Sequence, residues 1–351
     1  MSIMRGWIIA GAVAAAGGFA VASWWGVRRL KAQHSRSAVA EPAAPPPSGP
    51  QQVAVVVNPV KEHAHETRLL IEAACRGAGW PDPLVFQTTK QDPGHTAARQ
   101  ALEAGADVVI PCGGDGTVRV VAEALAGTDT ALGLVPLGTG NLLARNLDLD
   151  VAHISQCVYT AIFGRQRRID TATMTLTAPD GGTSEHTFLV IAGVGMDAEI
   201  LNDTSENLKR AVGWMAYTEA GIRHMPGQRR RRVEISLDNG DFQSRRVRSV
   251  LFANCAKLPG GVDFIPDAYI DDGVLNVAIM SPRSLIGWIA MYVKIMFQHK
   301  RQLPVMQFYG ARKVSIRVPE PIETQVDGDV VGPATRVDVE VHPASLLVRV
   351  A

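Results

Sequence analysis

Two short stretches carry the residue types best suited to chemistry. Gly113-Gly114-Asp115-Gly116-Thr117 follows an apolar run, Val108-Val109-Ile110-Pro111-Cys112, and leads into helical spacing at Val118, Val121, Ala122 and Leu125. Glycines at a strand-to-helix corner let the backbone take positive φ and approach a ligand without a Cβ clash. The N–H groups of such a loop form an anion nest beside the positive end of a helix. A carboxylate that close to polyphosphate needs a cation in between, so Asp115 points to nucleotide phosphate with Mg²⁺. The loop is not a Walker A motif, since no Gly-Lys-Ser/Thr follows, and G-x-G-x-x-G does not fit. Taken alone, it also reads as a tight turn.

The second stretch is Val135-Pro136-Leu137-Gly138-Thr139-Gly140-Asn141. It follows the apolar run Ala131 to Val135 and opens a helix-like segment, Leu142 to Leu147. Two Gly/Thr loops at successive strand ends are what an open α/β sheet sets side by side at its carboxyl edge. Asn58-Pro59 ends the first strand, where α/β folds place ligands, and Thr88-Thr89 ends the second; Asp271-Asp272-Gly273 and Asp327-Gly328-Asp329 read as turns.

The elements that must position these loops follow from periodicity. Val53 to Val57, Leu84 to Thr88 and Val108 to Cys112 read as buried strands. Glu66 to Gly77 and His95 to Ala104 have helical spacing. Short alternating β and α units predict a parallel, doubly wound sheet. After Ile169 the pattern changes to strand-like runs with hairpin turns: Thr173 to Thr177, Thr187 to Ala192, Arg232 to Leu237 and Val247 to Asn254. Turns such as Pro179-Asp180-Gly181-Gly182 and Asp238-Asn239-Gly240 indicate antiparallel pairing. Helical segments interrupt near 208–224 and 285–297. The expected fold is α/β in two domains, a doubly wound parallel nucleotide domain and a mostly antiparallel β domain with helices.

The 351 residues suffice for two domains and a large core, and the net charge of +1 points to no polyanion partner. Arg229 to Arg232, with Arg245, Arg246 and Arg248, is a basic stretch without interleaved aromatics, so nucleic acid is not expected. It reads as a solvated edge or a contact for anionic lipid headgroups. Four scattered cysteines without C-x-x-C suggest neither disulfides nor zinc. Trp7 to Val27 is an uncharged apolar run with tryptophans at both ends, followed by Arg28, Arg29, Lys31 and Arg36. That pattern predicts a single-pass membrane anchor with the remainder cytoplasmic. The expected organisation is an anchor at 1–36, a Pro/Ala-rich spacer at 37–51, the nucleotide domain at 52–146 and the β-rich domain at 147–351, whose end could return to the first.

The sequence resembles the diacylglycerol kinase catalytic-domain family, in its bacterial YegS-like and sphingosine-kinase-like forms. The resemblance rests on the GGDGT and P-L-G-T-x-N loops. It continues through Gly193-Val194-Gly195-Met196-Asp197, Pro266-Asp267-Ala268-Tyr269-Ile270-Asp271-Asp272-Gly273 and Gln325-Val326-Asp327-Gly328-Asp329, in order from about residue 52 to 351. It implies an ATP- and Mg²⁺-dependent lipid kinase with its site in a cleft between domains, acting on diacylglycerol or a related lipid alcohol at a membrane surface. Nucleotide contacts fall on Asn58, Thr89, Gly113, Gly114, Asp115, Gly116, Thr117, Gly138, Thr139 and Asn141. A cation site is implied at the Asp272 carboxylate with the Tyr269 and Val274 carbonyls, and another at Asp115. The family's Asp-Gly-Glu places its general base at Asp329, one methylene shorter here. Val60-Lys61-Glu62 replaces a glycine-containing nucleotide loop. The rivals are a sphingosine- or ceramide-type kinase, an NAD kinase sharing GGDGT, and an inactive nucleotide- or lipid-binding module. A homodimer is left open.

Overall fold

A computed structural model describes residues 43–195, 230–258, 268–282 and 305–351, with 262, 263, 265, 287 and 303. Strands β1 (Val53–Val57) and β3 (Val108–Cys112) are buried along their whole length. That is why they read as unbroken apolar runs: a parallel strand is covered on both faces. β2 (Leu84–Gln87) and β4 (Ala131–Leu132) flank them, all in parallel register, with Val55 opposite both Val85 and Ile110.

The helices between them bury one stripe each. α1 (Ala64–Gly77) buries Ala64, Thr67, Ile71 and Cys75, the spacing of one helical face. α2 (His95–Glu103) begins beyond Asp92, whose carboxylate accepts the N–H groups of Gly94, His95 and Thr96 at 2.9, 2.7 and 3.0 Å. The side-chain hydroxyl of Thr96 first, and these N–H groups with it, hold Asp92 well below the usual carboxylate range. α3 (Asp115–Leu125) and α4 (Leu142–Asn146) follow the two glycine loops. α5 (Ile154–Phe163) shares a core with β1 and β3 through Val158 and Ile162, so α/β packing continues past residue 146.

The second half is antiparallel. β5 (Arg165–Thr177) and β6 (Thr183–Phe188) form a hairpin; β7 (Ile191–Val194), β8 (Arg231–Leu237), β9 (Gln243–Val247) and β10 (Ser249–Ala253) follow. β11 (Lys257–Leu258) and β12 (Val262–Asp263) pair apart from the rest. β13 (Leu275–Met280), β14 (Met306–Ala311), β15 (Lys313–Val326) and β16 (Asp329–Val350) complete the order. The central path runs β14-β13-β10-β7-β15-β16-β4-β3-β1-β2. β16, 22 residues long, pairs antiparallel with β15 and β5, then parallel with β4 through Val348 and Leu132. The chain end therefore returns to the first domain and makes one mixed sheet of the two halves. One apolar cluster spans both, joining Val109, Leu125 and Leu132 to Ile191, Leu251 and Met306.

The single-pass membrane assignment is corrected. No helix among the described residues is long and apolar enough to cross a membrane, and the run at 7–27 lies outside them. The described end of the Pro/Ala-rich segment does not stand off as a spacer. Ala44 exchanges both backbone hydrogen bonds with Gln166, at 2.7 and 3.0 Å, and Gln51 Oε1 accepts from the buried Arg349 at 2.5 Å. The helical readings at 208–224 and, apart from Gly287, at 285–297 lie outside the described residues, as do Met196, Asp197, Pro266, Asp267 and Arg229. All four cysteines are buried free thiols.

Candidate functional site

The first loop is built for glycine. A Cβ on Gly113 would lie 2.6 Å from Thr117 Cβ and Oγ1, because the buried Thr117 folds back beneath it. Gly114, extended at φ −91°, caps α3, and Asp115 opens the helix. In the second loop Gly138 N–H donates to Asn141 Oδ1, and Asn141 Nδ2 donates to Gly138 O, both at 2.9 Å. Asn141 sits in the left-handed region at φ 48°, a conformation asparagine tolerates, and starts α4.

Asp115 joins the two loops. Its Oδ2 accepts the Asn141 N–H at 3.0 Å and its Oδ1 the Leu142 N–H at 2.8 Å. A Cβ on Gly140 would strike Asp115 Oδ2 at 2.8 Å, and one on Gly138 would meet Gly114 Cα at 3.0 Å. Backbone therefore meets backbone at Gly114 and Gly138, and the loops form one cradle of N–H groups at the start of α3. Gly116 and Thr139 are also on its wall, Thr139 exposed.

Two predicted contacts at neighbouring strand ends are turn residues. Asn58 Oδ1 accepts the Val60 N–H at 3.2 Å, and Asn58 N–H bonds Cys112 O at 3.0 Å, tying this turn to the end of β3. Thr89 is exposed and its Oγ1 accepts the Asp92 N–H at 3.0 Å. The turn after Asn58 carries Lys61 over the first loop: Lys61 Nζ is 3.6 Å from where a Cβ on Gly114 would stand. Lys61 is exposed and makes no ion pair among the described residues.

The hairpin between β15 and β16 presents Asp329. Asp327 (φ 47°) and Gly328 (φ 92°) form the two-residue loop between the paired Val326 and Asp329, a conformation Asp-Gly suits. Asp327 faces inward. Its carboxylate accepts the N–H groups of Leu189, Val190 and Ile191 at 3.0, 3.1 and 2.9 Å, yet burial outweighs these bonds and pushes it up to about 6. Asp329 faces outward, and its Oδ2 accepts a hydrogen bond from Arg119 Nη2 at 2.9 Å. Arg119 is on α3, one turn past Asp115, so the hairpin tip is brought to the helix that begins at the phosphate-type loop. Neither Arg119 nor Lys61 was singled out from sequence. The signal for Arg119 was a lone cation among Val118, Val120 and Val121.

The Asp271-Asp272-Gly273 turn is a separate acidic centre. Asp170 accepts Gly273 N–H at 2.6 Å and Ala344 N–H at 2.7 Å; Arg167 Nε donates to Asp271 Oδ2 at 2.9 Å; Asp272 Oδ1 accepts Val274 N–H at 2.9 Å. Burial first, and the Asp170 and Asp271 carboxylates after it, push Asp272 up to about 6. Among the described residues Asp271 Oδ1 is buried without a hydrogen-bond partner. Among the described residues no group of three or more His, Cys, Asp or Glu is arranged to hold a metal ion; carboxylate and carbonyl oxygens of the kind this turn carries are what a hard divalent cation takes.

Residues 52–174 match the family described as the diacylglycerol kinase catalytic domain, and residues 190–350 the YegS C-terminal NAD kinase beta sandwich-like domain. A protein of Pseudomonas fluorescens named "Probable lipid kinase YegS-like" is 31% identical over 232 residues, 63% of this chain and 71% of that one. The chain belongs to the diacylglycerol kinase catalytic-domain family. Diacylglycerol kinase of Bacillus subtilis is 29% identical over 258 residues, covering 73% of this chain and 81% of its own. The fold is similar to that of a diacylglycerol kinase crystal structure from Bacillus anthracis, with TM-score 0.67 and 21% identity over 87% of this chain and 98% of that one. As a member of this family the protein is a kinase of the lipid-kinase type. Both glycine loops lie in the region of the catalytic-domain match, and Asp329 in that of the second.

Proposed function

We propose that the protein transfers the γ-phosphate of ATP to a lipid hydroxyl, with diacylglycerol as acceptor and phosphatidic acid as product. The observation that carries the reading is the cradle made when Asp115 bonds Asn141 and Leu142. The first loop offers phosphate oxygens the backbone of Gly113, Gly114, Gly116 and Thr117. Gly138 and Asn141, whose N–H groups are taken by Asn141 Oδ1 and Asp115 Oδ2, line the second loop as contacts with Thr139, and Asn58 and Thr89 stand at the neighbouring strand ends. Lys61 adds a positive charge above Gly114. The nucleotide belongs to the α/β part and the acceptor lipid to the β-rich part.

Asp329 takes the acceptor's hydroxyl proton as its oxygen attacks the γ-phosphorus, and ADP leaves. Such transfer asks little covalent work of the protein, so holding the partners in line dominates. Asp115, with one lone pair left on each oxygen, and Asp272 with the Tyr269 and Val274 carbonyls would hold Mg²⁺. A bound Mg²⁺ neutralises charge on the phosphate oxygens.

The test is transfer of label from γ-labelled ATP to diacylglycerol, a sphingoid base or NAD offered in mixed micelles. Labelled phosphatidic acid is the expected product. Label in NADP or in a sphingoid phosphate replaces the acceptor named here, and ATP binding without transfer to any of them leaves a binding module.

A further inference from the structure

Arg119 and Asp329 are 210 positions apart in sequence and 2.9 Å apart in space. Surface ion pairs contribute little to stability, because each partner gives up water and side-chain freedom. This pair is unequal. The Arg119 side chain is 15% exposed and the Asp329 side chain 61%. Among the described residues Arg119 Nε is buried with no hydrogen-bond partner, a cost that a pair selected for stability would remove by bonding both carboxylate oxygens. Instead one nitrogen holds one oxygen, Oδ2, and among the described residues Oδ1 accepts no side-chain or main-chain hydrogen bond. The half-buried partner stands on a fixed element, since α3 packs through Val120, Val121 and Leu125. The exposed partner stands just past a two-residue hairpin loop, where a short carboxylate would otherwise sample several rotamers. The Arg119 charge also faces inward: it lowers the carboxyl of Asp327 and the imidazole of His186, in both cases as a smaller influence than burial.

We propose that Arg119 is the positioning residue of phosphoryl transfer. It holds Oδ2 of Asp329 so that Oδ1 meets the acceptor hydroxyl near the Gly113–Thr117 loop. This rests on Asp329 being the proton acceptor. In the step it serves, the acceptor O–H proton passes to Asp329 Oδ1 and the acceptor oxygen bonds the γ-phosphorus. The bond from that phosphorus to the bridging oxygen of ADP breaks, and ADP keeps the electron pair.

The test is steady-state kinetics on the full chain with ATP and diacylglycerol in mixed micelles, for Arg119→Met, Arg119→Lys, Asp329→Asn and the double variant Arg119→Met/Asp329→Asn. Arg119→Met is expected to lower kcat by about 10²-fold, the scale of a small misplacement of a reacting group. KM for ATP stays within about twofold. Arg119→Lys, which keeps the charge and one donor nitrogen, recovers part of the loss and guards against a misfolded methionine variant. In the Asp329→Asn background Arg119→Met has no further effect, because both act through one carboxylate. Full turnover or faster turnover in Arg119→Met overturns the proposal. So does a full additional loss in the double variant, which would mean Arg119 acts by another route. Wild-type turnover in Asp329→Asn instead removes the reading of Asp329 as base, a result visible whatever Arg119→Met does.

Discussion

The carboxylate of Asp115 accepts the backbone N–H of Asn141 at 3.0 Å, from the first turn of one helix to the start of another. With the bond to Leu142, it caps α4 from a distant part of the chain. Removing it frees two N–H groups and unties the cradle. Asp115→Ala is expected to abolish measurable transfer and to cost about 2 kcal/mol of stability, the scale for bonds to a charged group. Hydrogen exchange at the Asn141 and Leu142 amides should accelerate in that variant. Unchanged exchange with lost activity would mean that Asp115 serves the cation alone.

Lys61 reaches over Gly114 without an ion-pair partner among the described residues. Lys61→Met should raise KM for ATP by about tenfold with kcat little changed, as loss of uniform phosphate binding does. The affinity for ATP should also become less sensitive to salt than in the parent, read by titration at two ionic strengths. An unchanged KM would leave Lys61 out of the phosphate site.

Asp327 ties the hairpin to Leu189, Val190 and Ile191 and is pushed up to about 6 from 3.8, chiefly by burial. A carboxyl raised on folding contributes stability that is full below 3.8 and is lost as pH rises through about 6. Asp327→Asn does not titrate. Its cost, measured by urea unfolding, should therefore be larger at pH 4.5 than at pH 7.5 by on the order of 2 kcal/mol. A cost independent of pH would contradict the raised value.

Burial first, and the neighbouring Asp170 and Asp271 after it, push Asp272 up to about 6. Mg²⁺ binding there should raise the unfolding temperature of the parent at pH 7.5. A concentration 100 times the dissociation constant corresponds to about 2.7 kcal/mol. Asp272→Asn should melt higher than the parent without Mg²⁺ and gain less on adding it. Equal gains in both would place the bound ion elsewhere.

Much of the local structure was legible because its causes are local. Val53–Val57 and Val108–Cys112 are apolar throughout since both faces are covered, and they form strands with the expected bounds. The glycine loops fall between strand and helix as read, though β4 is paired only at Ala131–Leu132 of the expected run to Val135. Asp327-Gly328 turns because aspartate and glycine tolerate positive φ. Tertiary structure decided the rest. Which carboxylate of Asp-Gly-Asp faces in depends on where Leu189–Ile191 passes. Which residue holds Asp329 depends on α3 lying beside a hairpin formed two hundred residues later. The return of β16 to β4 also required the folded sheet, because one residue pair, Val348 with Leu132, makes the junction. Periodicity reports which face of an element is buried. It carries no record of the partner that buries it, so hydrogen bonds between distant segments become visible only once the chain is packed.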